Sequence, residues 1–229
     1  MKETERIAAA YRELGANAGT RYDLRNRGNQ QVLEERRRLT KKLLGHAGLI
    51  PVGDRRVLEV GSGTGSELAW MLEIGAAPSN LAGVDLLPDR VAAARYAYPK
   101  LTFHEANAEI LEFADDSQDL VLAITVFSSI LDDSMAANVA AEIQRVMRPG
   151  GALLWYDFRY DNPANRNVRG VRERKVRELF PRLEGRLHSL TVVPPLVRRL
   201  GEFAAIAYPV LSLAPPLRSH LLGLLHKPA

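Results

Sequence analysis

The stretch "VLEVGSGTGSEL", Val57 to Leu68, decides how the chain is read. An apolar strand-forming run stops at Val60, glycines stand at 61, 63 and 65, and a helical pattern starts near Ser66. Glycine supplies the left-handed backbone of a tight turn and lets a ligand approach closely, while the start of a helix offers free amides. The position between strand and helix is what makes such a motif credible. A dinucleotide fingerprint places its third glycine five positions after the first. Here Ser66 stands there, and the third glycine is Gly65. Glu59, two residues before Gly61, would repel a diphosphate and suit a cation. The loop is expected to hold a nucleoside without phosphates.

Outward from this loop, short apolar runs alternate with helical patterns. Residues 56–60, 81–85, 101–105, 119–125 and 151–158 read as strands; residues 66–74, 89–97 and 135–147 read as helices. Such alternation implies a parallel sheet with helices on both faces, and right-handed crossovers make it doubly wound. Residues 28–48 read as a helix with Leu33, Leu39, Leu43 and Leu44 on one stripe, closed by glycine. Late in the chain, 170–180 reads as a helix, 185–193 and 219–227 as strands, and 194–208 as one proline-started helix between them. The expectation is an α/β, Rossmann-like doubly wound seven-stranded sheet, residues 49–229, behind a helical N-terminal extension, residues 1–48. Asp85 ends the second strand 20 residues after Gly65, where a carboxylate can accept from both ribose hydroxyls.

The successive segments "VLEVGSGTG", "GVDLLPDRVAAAR", "NAEILEFADDSQDLVLAITVF" and "EIQRVMRPGGALLW" resemble the motifs of class I S-adenosylmethionine-dependent methyltransferases, in order, from about Arg55 to Phe158. The resemblance implies that the last strand is antiparallel. It implies that Glu59, Gly61, Ser62, Gly63 and Gly65 hold the methionine part of S-adenosylmethionine, Asp85 the ribose, and Leu86 one face of the adenine. Asn107 and Ala108 stand where the family usually has aspartate-alanine facing the adenine amine. Thr125, Val126 and Phe127 would lie beside the sulfonium. The N-terminal helix, with Tyr22, Arg25 and Arg27 before it, would close over the cofactor as a lid.

Bulk properties set limits. The chain has 229 residues, 46% hydrophobic and 25% charged, which is ordinary for a globular protein. It has no cysteine, so disulfides, thiolate metal sites and cysteine nucleophiles are excluded. That fits a reducing, cytoplasmic setting. The most apolar stretch, Phe203 to Leu217, is 15 residues long and holds three prolines, too short and broken to span a bilayer. Net charge is distributed unevenly: +5 over residues 1–42, −9 over 43–157 and +8 over 158–229. Basic flanks offer cations to an anionic or polyhydroxyl ligand or lie as solvated helix faces.

The acceptor is read from the loops. The fourth strand continues into "ITVFSSILDD", without the proline-proline-aromatic turn common in base methylation, which speaks against nucleic acid as acceptor. Ser128 and Ser129 stand where many relatives carry histidines. The stretch "LLWYDFRYDNPANRNVRG", 153–170, leaves the fifth strand on the ligand side and offers aromatic and planar polar groups. It resembles methyltransferases of bacterial glycan and natural-product biosynthesis. The expected reaction is O-methylation of a saccharide or glycosylated small molecule, with Asp157 as base and His188 and His220 behind it. Tyr156, Arg159, Asp161, Asn162, Arg166 and Arg169 would form the acceptor wall. Asp157 with Asp161 would be the site for Mg2+, if one is used. Two rivals stand beside this: a lipophilic polyketide- or quinone-type acceptor covered by residues 203–217, and a non-catalytic cofactor-binding protein.

Overall fold

A computed structural model describes residues 2–16, 23–163 and 165–229. The sheet contains β1 (Val57–Val60), β2 (Leu81–Asp85), β3 (Thr102–Glu105), β4 (Gln118–Ile124), β5 (Met147–Phe158), β6 (Leu187–Val192) and β7 (Arg218–His226). Their order across the sheet is β3-β2-β1-β4-β5-β7-β6. The first five run parallel, while β7 pairs antiparallel with both β5 and β6. The expected seven-stranded, doubly wound architecture with an antiparallel last strand is what forms.

Alternate residues of the central strands serve two cores, as the period of two demands. Leu58, Val60, Val121, Leu153 and Trp155 pack with α5 (Asp133–Val146) and α6 (Glu173–Leu179). Val57, Leu120, Leu122, Leu154 and Tyr156 pack on the other face with α3 (Ser66–Glu73), α4 (Pro88–Ala97) and Leu44 of α2 (Arg27–His46). The two helices of the N-terminal extension lie on different faces of the sheet. The first, α1 (Glu3–Ala16), places Ile7 in the first core, whereas α2 lies on the opposite face.

The helix expected over 194–208 is broken. α7 (Pro194–Arg199) is followed by a short 3-10 turn at Gly201–Phe203 and then by α8 (Ala204–Leu211). Gly201 adopts φ +54, a left-handed conformation that stops an α-helix. These helices lie between the end of β6 and the start of β7, so the chain inserts them at the C-terminal edge of the parallel strands. Glu35 of α2 anchors them: its Oε2 accepts from the Thr191 amide at 2.8 Å and the Tyr208 hydroxyl at 2.7 Å.

Gly28 sets how closely α2 approaches α7. A Cβ there would stand 2.4 Å from the Val197 carbonyl oxygen. Alanine in place of helical glycine ordinarily stabilises by about 0.5–1 kcal/mol, but overpacking against backbone costs about 1–3 kcal/mol. Gly28→Ala is thus expected to lower stability by about 1 kcal/mol or more on these figures, read as a lower urea midpoint with an unchanged slope.

Candidate cofactor and acceptor site

The ends of β1, β2 and β4 open onto one cavity of about 110 Å³. The three loop glycines take positive φ, +70 at Gly61, +53 at Gly63 and +83 at Gly65. Two of them have no room for a side chain either. A Cβ on Gly61 would stand 2.8 Å from Val126, and one on Gly65 would stand 2.6 Å from the Phe103 ring.

Four of the loop's amides are spent inside the protein. Those of Gly61 and Ser62 donate to the Val84 carbonyl at 2.8 and 2.9 Å, and that of Gly65 donates to Ser62 O at 2.9 Å. The Gly63 amide donates to Asp85 Oδ2 at 2.7 Å. A phosphate cradle needs such amides free and pointing outward, so the geometry agrees with a ligand lacking phosphates there. Asp85 Oδ1 also accepts from the Leu87 amide at 2.9 Å, which holds the carboxylate rigidly at the cavity wall.

Of the residues expected to meet the cofactor, Gly61, Asp85, Leu86, Asn107, Ala108, Thr125 and Val126 line this cavity. Asn107 already uses its side chain on Glu109, accepting from the Glu109 amide at 3.1 Å and donating to Glu109 Oε2 at 2.9 Å. Its Oδ1 keeps a second lone pair. Thr125 holds φ +56, a strained backbone for a β-branched residue, of order 1–3 kcal/mol. Its amide is fixed to the Tyr156 carbonyl at 2.7 Å. Phe127 is instead core, packed on Trp155 and Phe180. Tyr22 lies outside the described residues.

Glu59, Ser62, Gly63 and Gly65 lie beside the cavity rather than on its wall. Glu59 is buried on the α3 face of the sheet, and burial together with the nearby Glu67 carboxylate pushes its pKa well above the ordinary range. Glu59 Oε2 and Ser62 Oγ are buried without a hydrogen-bond partner. Unpartnered buried polar atoms are costly, and a cationic amine at the glycine loop would satisfy them. The residues present therefore fit S-adenosylmethionine: Asp85 for the ribose, Leu86, Asn107 and Ala108 for the adenine, and the glycine loop with Glu59 for the methionine.

Sequence reasoning missed the cover. Ile7 and Tyr11 of α1, Arg90 of α4, and Ser129, Ile130, Met135 and Val139 also line the cavity. Arg90 stacks over the Tyr11 ring at 4.2 Å, and the Tyr11 hydroxyl meets Ser129 Oγ at 2.9 Å. Arg6 donates to the Ser129 carbonyl at 2.5 Å, and Glu3 accepts from the Leu131 amide at 2.6 Å. The signal was present in "ERIAAAYREL", where Ile7 and Tyr11 share one face at i, i+4.

The structure does not bring the expected base or acceptor wall into the cavity. Asp157 is only 1% exposed and does not line it; its carboxylate accepts from the amides of Ser128 at 3.0 Å and Phe158 at 2.8 Å. It anchors the turn that carries Ser129. His220 is buried and stacked on Tyr156 across the sheet from the first core, with ring centroids 4.7 Å apart. Burial pushes its pKa down to about 3, which makes it a poor base. His188 is exposed on the edge strand β6. Tyr156 turns into the second core and bonds Thr191 Oγ1 at 2.9 Å.

The loop's polar groups are also engaged. Asp161 Oδ1 accepts from the Gly170 amide at 2.8 Å, Arg169 binds Asp133 at 2.7 Å, and the Arg159 guanidinium stacks over Tyr160 at 4.4 Å. Arg166 is exposed, and neither it nor Asn162 lines the cavity. Among the described residues no group of three or more His, Asp or Glu side chains is placed to hold a metal ion, so the Mg2+ expectation finds no support.

Comparison with known proteins agrees with the geometry. Residues 58–155 match the family model described as a methyltransferase domain. A demethylmenaquinone methyltransferase of Chlorobaculum parvum is 38% identical over 96 residues, covering 42% of this chain and 38% of that protein. A ubiquinone/menaquinone biosynthesis C-methyltransferase of Syntrophotalea carbinolica is 28% identical over 192 residues, covering 81% of this chain and 76% of that protein. The chain spans about two fifths of the length of several of the curated relatives it matches. A crystal structure of an S-adenosylmethionine-dependent methyltransferase from Mesorhizobium loti shares the fold with a TM-score of 0.61 at 20% identity, over 80% of this chain and 95% of that one.

Asp157 yields a pH-dependent prediction. Burial raises its pKa from 3.8 to about 6 in the folded protein. Between those values the folded state binds more protons than the unfolded state, so this group's contribution to stability is present below the lower value and lost as pH rises through the upper. The difference in unfolding free energy between wild type and Asp157→Asn should shift by up to about 3 kcal/mol across that window. Urea titrations of both proteins across that range read it. The glycine loop and most of the cavity wall fall within residues 58–155, the segment similar to the methyltransferase-domain family.

Proposed function

We propose that this chain transfers the methyl group of S-adenosylmethionine to a lipophilic, quinone-type small molecule. The observation that carries the acceptor class is the cavity wall beyond the cofactor residues. Ile7, Ile130, Met135 and Val139 form its apolar part, with Tyr11, Ser129 and the Arg90 guanidinium stacked on Tyr11 as the polar groups. Small-molecule sites of this kind are mostly apolar, with a few placed polar groups that orient the ligand. A saccharide would need many more hydrogen-bond partners, and the loop expected to supply them uses its own on the protein. The named quinone-pathway relatives support the same class.

When bound, S-adenosylmethionine would supply an electrophilic methyl on sulfonium sulfur; the acceptor would take it with loss of one proton to solvent, and S-adenosylhomocysteine would leave. The chain's contribution is positioning, which alone can supply several kcal/mol of a barrier. Asp85 fixes the ribose through a carboxylate already locked by two amides. Thr125 and Val126 hold the end of β4 beside the reacting centre. The cavity is smaller than the roughly 300–1,000 Å³ of small-molecule sites, so α1 moves outward to admit cofactor and acceptor and returns to exclude water. Tyr11 and Ser129, linked at 2.9 Å, are the hydroxyls available to orient an acceptor oxygen.

Calorimetry with S-adenosylhomocysteine tests the cofactor half, and absence of binding at millimolar ligand would reject it. Asp85→Ala should abolish that binding and cost about 1–3 kcal/mol of stability, because two amides lose their acceptor. A labelled-methyl assay tests the other half. Label should enter a reduced, demethylated naphthoquinone and not a sugar; the reverse pattern would restore the saccharide reading.

A further inference from the structure

α8 is apolar on both sides. Its inner side buries Ala204 and Tyr208, and Tyr208 joins Val192, Val197 and Val32 of α2 in a small third core. Its outer side and flanking turns carry Phe203, Ile206, Val210 and Leu213, exposed at 74%, 77%, 69% and 74%. Their spacing, i, i+3, i+7 and i+10, puts them in one stripe. Large apolar side chains scattered singly are normal, but a contiguous stripe on the surface marks an interaction site.

Arginines rim the stripe. Arg27 reaches Glu202, the neighbour of Phe203, at 3.1 Å. Arg218 donates to the Ser212 carbonyl at 2.7 Å, beside Leu213. Arg199 is exposed at the end of α7. Residues 158–229 carry 13 basic and 5 acidic groups, so the stripe sits in the most basic third of the chain. Two copies meeting through this face would set arginines against arginines, whereas anionic headgroups complement them.

We propose that this surface docks the protein on a lipid bilayer containing anionic lipid, with the four apolar side chains entering the interface and the arginines contacting headgroups. Interfacial segments with apolar residues beside Lys or Arg bind in this way, burying about 5–10 Å into the headgroup boundary. The binding is peripheral: among the described residues no helix is long and apolar enough to cross a membrane. α7 and α8 lie at the same edge of the sheet as the cavity, so docking turns that edge toward the bilayer. The proposal is independent of which acceptor is methylated.

Flotation with vesicles of phosphatidylcholine and phosphatidylglycerol in equal parts tests it. The wild-type chain should float with them, less so at high salt and much less with phosphatidylcholine alone. The double variant Ile206→Glu, Val210→Glu should lose at least roughly tenfold in partitioning, because a charge at each position must leave water. Both side chains are exposed, so its melting temperature and S-adenosylhomocysteine affinity should match the wild type, which separates lost docking from misfolding. A wild-type chain that stays unbound overturns the proposal, as does a variant that floats equally well. Binding that is equal on both vesicle types removes the anionic lipid from it. A wild-type dimer that the variant splits, without vesicle binding, assigns the stripe to a second copy instead.

Discussion

The Asp85 carboxylate holds two backbone amides at once, that of Gly63 at 2.7 Å and that of Leu87 at 2.9 Å. One belongs to the loop after β1 and the other to the turn after β2. A single side chain thus joins the two segments that would grip the methionine and adenosine halves of one ligand. Because charge-assisted bonds are stronger and shorter than neutral ones, the loop has its shape before any ligand arrives. The positive φ angles of Gly61, Gly63 and Gly65 permit that shape, and the Val84 carbonyl completes it with two further amides.

The same economy governs the turn after β4. Asp157, buried beneath the turn after β4, spends its carboxylate on the Ser128 and Phe158 amides. Above that turn α1 is tied by Glu3, Arg6 and Tyr11, all polar contacts at the helix's edges. Ile7 and the side chains facing it are left to shape the interior. Polar groups build the frame and apolar groups fill it. The cover is held by these hydrogen bonds, each worth about 0.5–1.5 kcal/mol, together with the burial of Ile7 in the first core.

The fold was legible because its determinants are local. The glycine loop, the period-two runs and the helices after β1, β2 and β4 each announce themselves within a dozen residues, and their order leaves few topologies. Asp85 was legible for the same reason, as an acid at the end of a strand beside that loop. Asp157, His220 and Tyr156 do not line the cavity, because a residue near a strand's end faces either side of the sheet according to a parity that the neighbouring strands decide. His220 and Tyr156 point to the α2 face, and Asp157 is covered by the turn it caps. The polar loop 159–170 looked like a binding wall because its internal partners, Gly170 and Asp133, are known only once it is folded.

The sequence by itself determined the sheet, its crossovers, the glycine loop and the acid that serves it, because these depend on near neighbours and on hydrophobic period. Tertiary structure decided which helix covers the cavity, which side chains reach it and which stripe stays outside. α1 and α2 are adjacent in the chain yet settle on opposite faces of the sheet. Gly201 breaks an apparently continuous helix and leaves α8 with one apolar side buried and the other in solvent. Local features such as Gly201 and the Ile7–Tyr11 pair permit these outcomes, and packing between segments distant in sequence selects them.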